Sequence, residues 1–162
     1  MGSLRQSPFP THGPMILPYR GVSPTIAADA FIAPGAVISG DVTIGSQSSV
    51  WFGTVIRGDV MPVVIGARTN IQDLSVIHVT RETGPTFIGS GVTLGHSVML
   101  HACTVEDNAF VGMRAVMLDH SCVREGGMLA AGAMLTPRKE VQGSALWAGS
   151  PATHMRAMTQ AE

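Results

Sequence analysis

The stretch IAADAFIAPGAVISGDVTIGSQSSVWFGTVIRGDV, residues 26–60, returns an aliphatic side chain at every sixth place: Ile26, Ile32, Ile38, Ile44, Val50 and Ile56. A period of six fits neither the 3.6 of an α-helix nor the 2 of a simple strand. Four residues after each of these comes a small or β-branched residue: Ala30, Ala36, Val42, Ser48, Thr54 and Val60. One large and one small inward position per six describe a short flat strand followed by a tight corner. The register resumes at Ile65, Ile71 and Ile77 after a break at Met61 to Val64, and at Ile88, Leu94 and Leu100 after a second break. One residue is dropped before Val105, and Val111, Met117, Val123, Leu129, Leu135, Val141 and Trp147 complete the series.

Such a hexapeptide repeat is the signature of a parallel β-helix, whose coils bury their apolar sides only by stacking on one another. Three hexads per coil give about seven triangular coils and a prism roughly 30–35 Å tall. The 19 glycines suit the corners, where positive φ is cheapest for glycine. The irregular places near Pro62 and from Arg81 to Thr86 are expected to be loops pushed out of the coil without disturbing its register. The expected organisation is a flexible N-terminal extension over 1–14, a β-helix domain over 15–149, and a short C-terminal α-helix over 150–162. Ser150 and Pro151 would start that helix, and Ala152, Met155 and Met158 would pack it on the prism. The fold class is therefore all-β.

The chain of 162 residues is long enough for one domain with a substantial core. Its charged fraction of 13% is about half of the roughly 25% usual for soluble proteins, so buried subunit faces in an oligomer are expected. A net charge of −1 gives no reason to expect nucleic acid or an anionic membrane as partner. No window approaches the 18 apolar residues of a membrane span, and the N-terminus lacks a signal-peptide layout. A cytoplasmic location is the expectation. Cys103 and Cys122 have neither a CxxC nor a zinc-ribbon spacing and are read as small buried thiols.

With the excursions removed, one column of the prism runs Ile38, Ile56, Ile77, Leu100, Met117, Leu135. The residues that follow put His78 and His101 on adjacent coils, with Arg57 one coil below. His96 falls on the next column, where Asp73 takes the equivalent place one coil earlier. Side chains on different faces diverge, so His96 is poorly placed to meet His78 and His101 of its own chain; a threefold ring of prisms would bring one subunit's His96 to the next subunit's pair. Three histidines leave a zinc ion one position for water, which they acidify toward a pKa of about 7; this favours a catalytic site over a structural one. His120 and His154 are read as surface residues.

The ordered set Val55-Ile56-Arg57-Gly58-Asp59, Asn70-Ile71-Gln72-Asp73 leading to Val76-Ile77-His78, and Gly95-His96-Ser97 through Leu100-His101 resembles the gamma-class carbonic anhydrases of the hexapeptide-repeat superfamily. The resemblance covers nearly all of the chain from about Met15. It implies a left-handed β-helix and a homotrimer with zinc, or iron or cobalt in its place, at each subunit boundary, held by His78 and His101 of one chain and His96 of the next. It places Gln72 and Asp73 beside the metal-bound water as catalytic groups, and Arg57, Asp59 and Asn70 at the boundary or behind the ligands. The implied activity is reversible hydration of carbon dioxide to bicarbonate by metal-bound hydroxide. The acidic loop that bears a proton-shuttle glutamate in the best-known anhydrases is reduced here to Arg81–Thr86, with Glu82 its only carboxylate. The rival readings are a hexapeptide-repeat acyltransferase and a metal-binding trimer with little or no hydration activity.

Overall fold

The computed structural model describes residues 13–159. The extension assigned to residues 1–14 and the tail 160–162 thus lie almost wholly outside the described residues.

Most hexad aliphatics sit on strands of two or three residues, with those of the longer strands Val37–Ile44, Val55–Ile65 and Ala145–Gly149 as exceptions, and the strands stack in parallel into three faces. The first face holds β1 (Met15–Leu17), the first half of β4 (Val37–Ile44), the first half of β6 (Val55–Ile65), β8 (Val76–His78), β11 (Met99–His101), β14 (Val116–Met117) and β17 (Met134–Leu135). The second holds β2 (Thr25–Ile26), the second halves of β4 and β6, β9 (Thr86–Ile88), β12 (Thr104–Val105), β15 (Cys122–Val123) and β18 (Glu140–Val141). The third runs through β3 (Phe31–Ile32), β5 (Ser49–Val50), β7 (Asn70–Ile71), β10 (Thr93–Leu94), β13 (Phe110–Val111), β16 (Met128–Leu129) and β19 (Ala145–Gly149). The result is an all-β solenoid of about seven turns.

The six-residue register carries the core. Ile38, Ile56, Ile71, Ile77, Leu94, Leu100, Met117, Leu129 and Leu135 are fully buried, each stabilising the fold by about 1.5–3 kcal/mol through the apolar surface it removes from water. The second inward position is filled by small residues that also bond between coils. Ser48 Oγ donates to the Gly66 carbonyl at 2.7 Å and accepts from Thr69 N at 3.0 Å, and Thr69 Oγ1 donates to the Gly89 carbonyl at 2.7 Å. The buried hydroxyls of Ser48 and Thr69 are thus satisfied by backbone groups of neighbouring coils.

Three expectations change. The break near Pro62 is absorbed within β6, which runs around its corner opposite a register shift in β4 between Gly40 and Val42. Among the described residues, left-handed φ falls on twelve non-glycine residues and eight glycines, most of them at the corners. Many glycines serve close approach instead: a Cβ on Gly58 would collide with the Asp41 carbonyl oxygen one coil away. Finally, there is no C-terminal helix among the described residues. Residues Ala152–Ala157 form β20, antiparallel to β19. A helix as short as the expected 150–162 is marginal by itself, and only Ala152 of the six strand residues is buried. As a strand the segment satisfies the open backbone edge of β19.

Candidate metal centre

His78 ends β8 and His101 ends β11, and parallel pairing sets the two residues directly opposite each other. Two features of the chain make this register. The extra residues after Ile77 close on themselves as a turn over 81–83, pinned by a Thr80–Gly84 bridge, and Ile88 resumes beside Ile65. The expected excursion at Arg81–Thr86 therefore leaves the coil intact, and the imidazoles stack with ring centroids 5.1 Å apart.

His78 Nδ1 and His101 Nε2 face each other at 3.2 Å, while the remote nitrogens each meet a carboxylate: His78 Nε2 to Asp59 Oδ1 at 3.1 Å, His101 Nδ1 to Asp119 Oδ1 at 2.8 Å. An ionised carboxylate only accepts, so each remote nitrogen carries the proton and donates. That leaves two ring lone pairs aimed at one another, an arrangement that a cation or a shared proton between them resolves. A tetrahedral zinc ion bound to two imidazoles at about 2.0–2.1 Å holds their nitrogens roughly 3.3 Å apart, so the donor pair fits such an ion. The carboxylates behind the rings are the partners that metal-bound histidines usually have.

Both carboxylates are held in the ionised form this requires. Burial raises the Asp59 carboxyl, but the hydrogen bond from His78 and the charge of Arg57 outweigh it and keep it below its ordinary value. Asp119 is lowered first by the hydroxyl of Thr80, which donates to Oδ2 at 2.6 Å, and then, against burial, by His101. Arg57 forms an ion pair with Asp59 from a half-exposed position.

His96 lies on the corner between the third and first faces, half exposed, with Nδ1 2.8 Å from Asp73 Oδ2. Asp73 is one coil below, its carbonyl accepting from Ser97 N at 2.8 Å. Gln72 precedes Asp73 on the same corner, its carbonyl accepting from Ser75 Oγ at 2.9 Å and its backbone N donating to Leu94 at 3.0 Å. Within one chain, no three His, Cys, Asp or Glu side chains among the described residues are grouped to hold a metal ion. The chain thus presents two paired histidines on one face and a third on a corner. Asn70 is brought to neither: on the third face its Oδ1 accepts from Trp51 Nε1 at 2.8 Å and Ser49 Oγ at 3.0 Å.

Asp119 and Thr80 were not singled out in the sequence. Asp119 lies one place past Leu118, which continues the column of His78 and His101, at a corner shifted by the residue dropped before Val105. A search for carboxylates one coil above each histidine, tolerant of one position, would have found it. His120 is exposed at a corner with φ of 61°. His154 is exposed on β20 with its ring edge-on to Trp147. Cys103 and Cys122 are free and buried, and burial pushes both thiols up, Cys122 to about 11, so both are neutral at physiological pH.

Comparison with known proteins places this arrangement in a family. A model of the bacterial transferase hexapeptide (six repeats) matches residues 23–58. A hexapeptide transferase family protein from Anaplasma phagocytophilum, of solved structure, superposes with a TM-score of 0.88 at 51% identity, covering 91% of this chain and 86% of that one. The chain spans about half the length of gamma carbonic anhydrase 1, mitochondrial, of Arabidopsis thaliana, to which it is 46% identical over 145 residues, covering 86% of this chain and 53% of the relative. Carbonic anhydrase of Geobacillus kaustophilus is 47% identical over 146 residues, covering 90% of this chain and 80% of the relative. With that identity across most of both chains, and the repeat and histidine-bearing strands described above, this chain belongs to the gamma carbonic anhydrase family of hexapeptide-repeat β-helix proteins.

Proposed function

We propose that the protein is a metal-dependent lyase that reversibly hydrates carbon dioxide to bicarbonate at sites shared between the subunits of a homotrimer of left-handed coils. Each site takes His78 and His101 from one subunit and His96 from its neighbour. The observation that carries this reading is the pair of facing ring nitrogens at 3.2 Å, each backed by a carboxylate on the opposite side of its ring. Zinc, with iron or cobalt as alternatives, supplies at such a site an acidified water that is nucleophilic at neutral pH.

The chain's own residues do the rest. Asp59 and Asp119 fix which nitrogen of His78 and His101 is bare, and Asp73 does so for His96. Gln72, beside Asp73 on the corner, is assigned to orient the substrate by its amide. Arg57 neutralises Asp59 and meets the adjoining subunit from its exposed position. The proton released by hydration leaves through solvent at the half-exposed corner, with Glu82 on the short turn as the candidate acceptor.

Elemental analysis of the purified oligomer, followed by carbon dioxide hydration with and without chelator, tests the reading. The expected result is about one zinc, iron or cobalt ion per chain and an activity that chelator removes and metal restores. A monomer would sink it, and a metal-free protein active only with acetyl-coenzyme A would sink it in favour of an acyltransferase. A metal-loaded but inert trimer would leave assembly as the role.

A further inference from the structure

Both ends of the Arg81–Thr86 excursion are fastened to the histidine pair. At its entry Thr80 Oγ1 donates to Asp119 Oδ2 at 2.6 Å, and Asp119 Oδ1 accepts from His101 Nδ1 at 2.8 Å. At its exit the fully buried Thr86 donates Oγ1–H to the His78 carbonyl at 2.6 Å. Between them the neck is tight: a Cβ on Gly84 would stand 2.6 Å from the Cβ of Ala102, the residue after His101, and 2.9 Å from that of Thr80. Neither Thr80 nor Asp119 reaches the bare nitrogens, so any influence they have on the site passes through His101.

We infer that Asp119, held in place by Thr80, is a positioning residue that fixes the tautomer and ring orientation of His101, and that the neck of the short excursion serves to hold this couple. One carboxylate oxygen takes the imidazole N–H and the other the hydroxyl, while Thr80 Oγ1 itself stands 3.4 Å from His101 Nδ1, a longer and weaker second acceptor for the same proton. Remove the hydroxyl and Asp119 is free to rotate; remove the carboxylate and His101 loses its reason to keep the proton on Nδ1. Either change leaves Nε2 bare for only part of the time. The inference deepens the proposed metal site and rests on it for its function, whereas the tautomer of His101 does not need the metal.

The test compares wild type with Asp119→Ala, Asp119→Asn, Thr80→Val and Thr80→Ser, each purified as the full oligomer. Imidazole nitrogen NMR on the metal-free protein reads the tautomer, and competition with a chromophoric chelator reads affinity for zinc alone. In wild type His101 is expected to carry its proton on Nδ1. Asp119→Ala is expected to mix the tautomers and weaken zinc binding about 10–100-fold. Asp119→Asn, which keeps one accepting oxygen, and Thr80→Val, of nearly unchanged shape, should fall between; Thr80→Ser should return to within about twofold of wild type. If Asp119→Ala does not fold, Asp119→Asn and Thr80→Val decide the matter by the same two readings. An unchanged His101 tautomer with zinc affinity within about twofold in folded Asp119 and Thr80→Val variants overturns the inference. Wild type that binds no zinc while its His101 tautomer still depends on Asp119 overturns the metal reading and leaves the positioning role standing.

Discussion

Two ladders of polar side chains climb this prism, one on each of two adjoining faces. On the second face Glu106 follows β12, Arg124 follows β15 and Glu140 opens β18, and the charges alternate. Arg124 Nη1 donates to Glu106 Oε1 at 2.7 Å, while Nη2 and Nε donate to Glu140 at 2.8 and 3.2 Å. Glu106 Oε2 accepts from the Glu125 backbone N–H at 3.0 Å. That ladder is closed: every charge has its opposite on the neighbouring coil. On the first face the neighbours are alike, two imidazoles with their bare nitrogens turned inward at 3.2 Å. Parallel stacking at about 4.8 Å presses equivalent outward residues of successive coils together whether they complement each other or not. Complementary residues make a structural pair, and identical imidazoles leave two ring lone pairs facing each other.

The strongest break in the contrast is His101→Ala. It should remove metal from the purified protein and cut hydration by more than about 100-fold, beyond the cost of losing one supporting carboxylate, while leaving the circular dichroism of the coil unchanged. Mixing brings the next largest effect. His78→Ala and His96→Ala should each be inactive alone, but trimers reassembled from equal amounts should recover about a quarter of the wild-type sites, because an intact face then meets an intact corner at a quarter of the boundaries. No recovery at all would place all three histidines on one subunit.

On the closed ladder, Arg124→Ala should lower the melting temperature by no more than a few degrees, since the group is exposed and screened, and should leave metal content untouched. The smallest effect is on acid stability. The hydrogen bond and charge of Arg124 hold the Glu106 carboxyl below its ordinary 4.5. Glu106 therefore contributes stability that is complete above about 4.5 and is lost as pH falls through the lower, folded value. The difference in melting temperature between wild type and Arg124→Ala should thus be full at pH 7 and shrink below about pH 4.5. A difference that grows on acidification would show that Arg124 acts by packing instead.

Much of the site was legible because the repeat is a ruler. Ile77 and Leu100 are inward positions of adjacent coils, so the residues after them had to stack once the Arg81–Thr86 insertion was treated as an excursion. His96 was equally readable as a member of a different column. Asp119 was not, because the ruler slips by one residue before Val105 and the corner it occupies follows that slip. The C-terminal segment was misread for another reason. Ser150-Pro151 and the spacing of Ala152, Met155 and Met158 satisfy helix rules locally, and nothing nearby in the sequence announces that β19 offers an unpaired edge.

The six-residue period, with the Arg81–Thr86 insertion set aside as an excursion, determined the all-β solenoid, its core and which histidines share a column, because inward and outward positions are set by local alternation and every coil repeats the same solution. Only the tertiary structure decided which nitrogen of each ring faces its neighbour, that Asp119 and Thr80 stand behind His101, and that Ala152–Ala157 close the sheet as β20. Those outcomes depend on contacts between residues up to 39 positions apart, and on edges and corners that exist only once the coils have stacked.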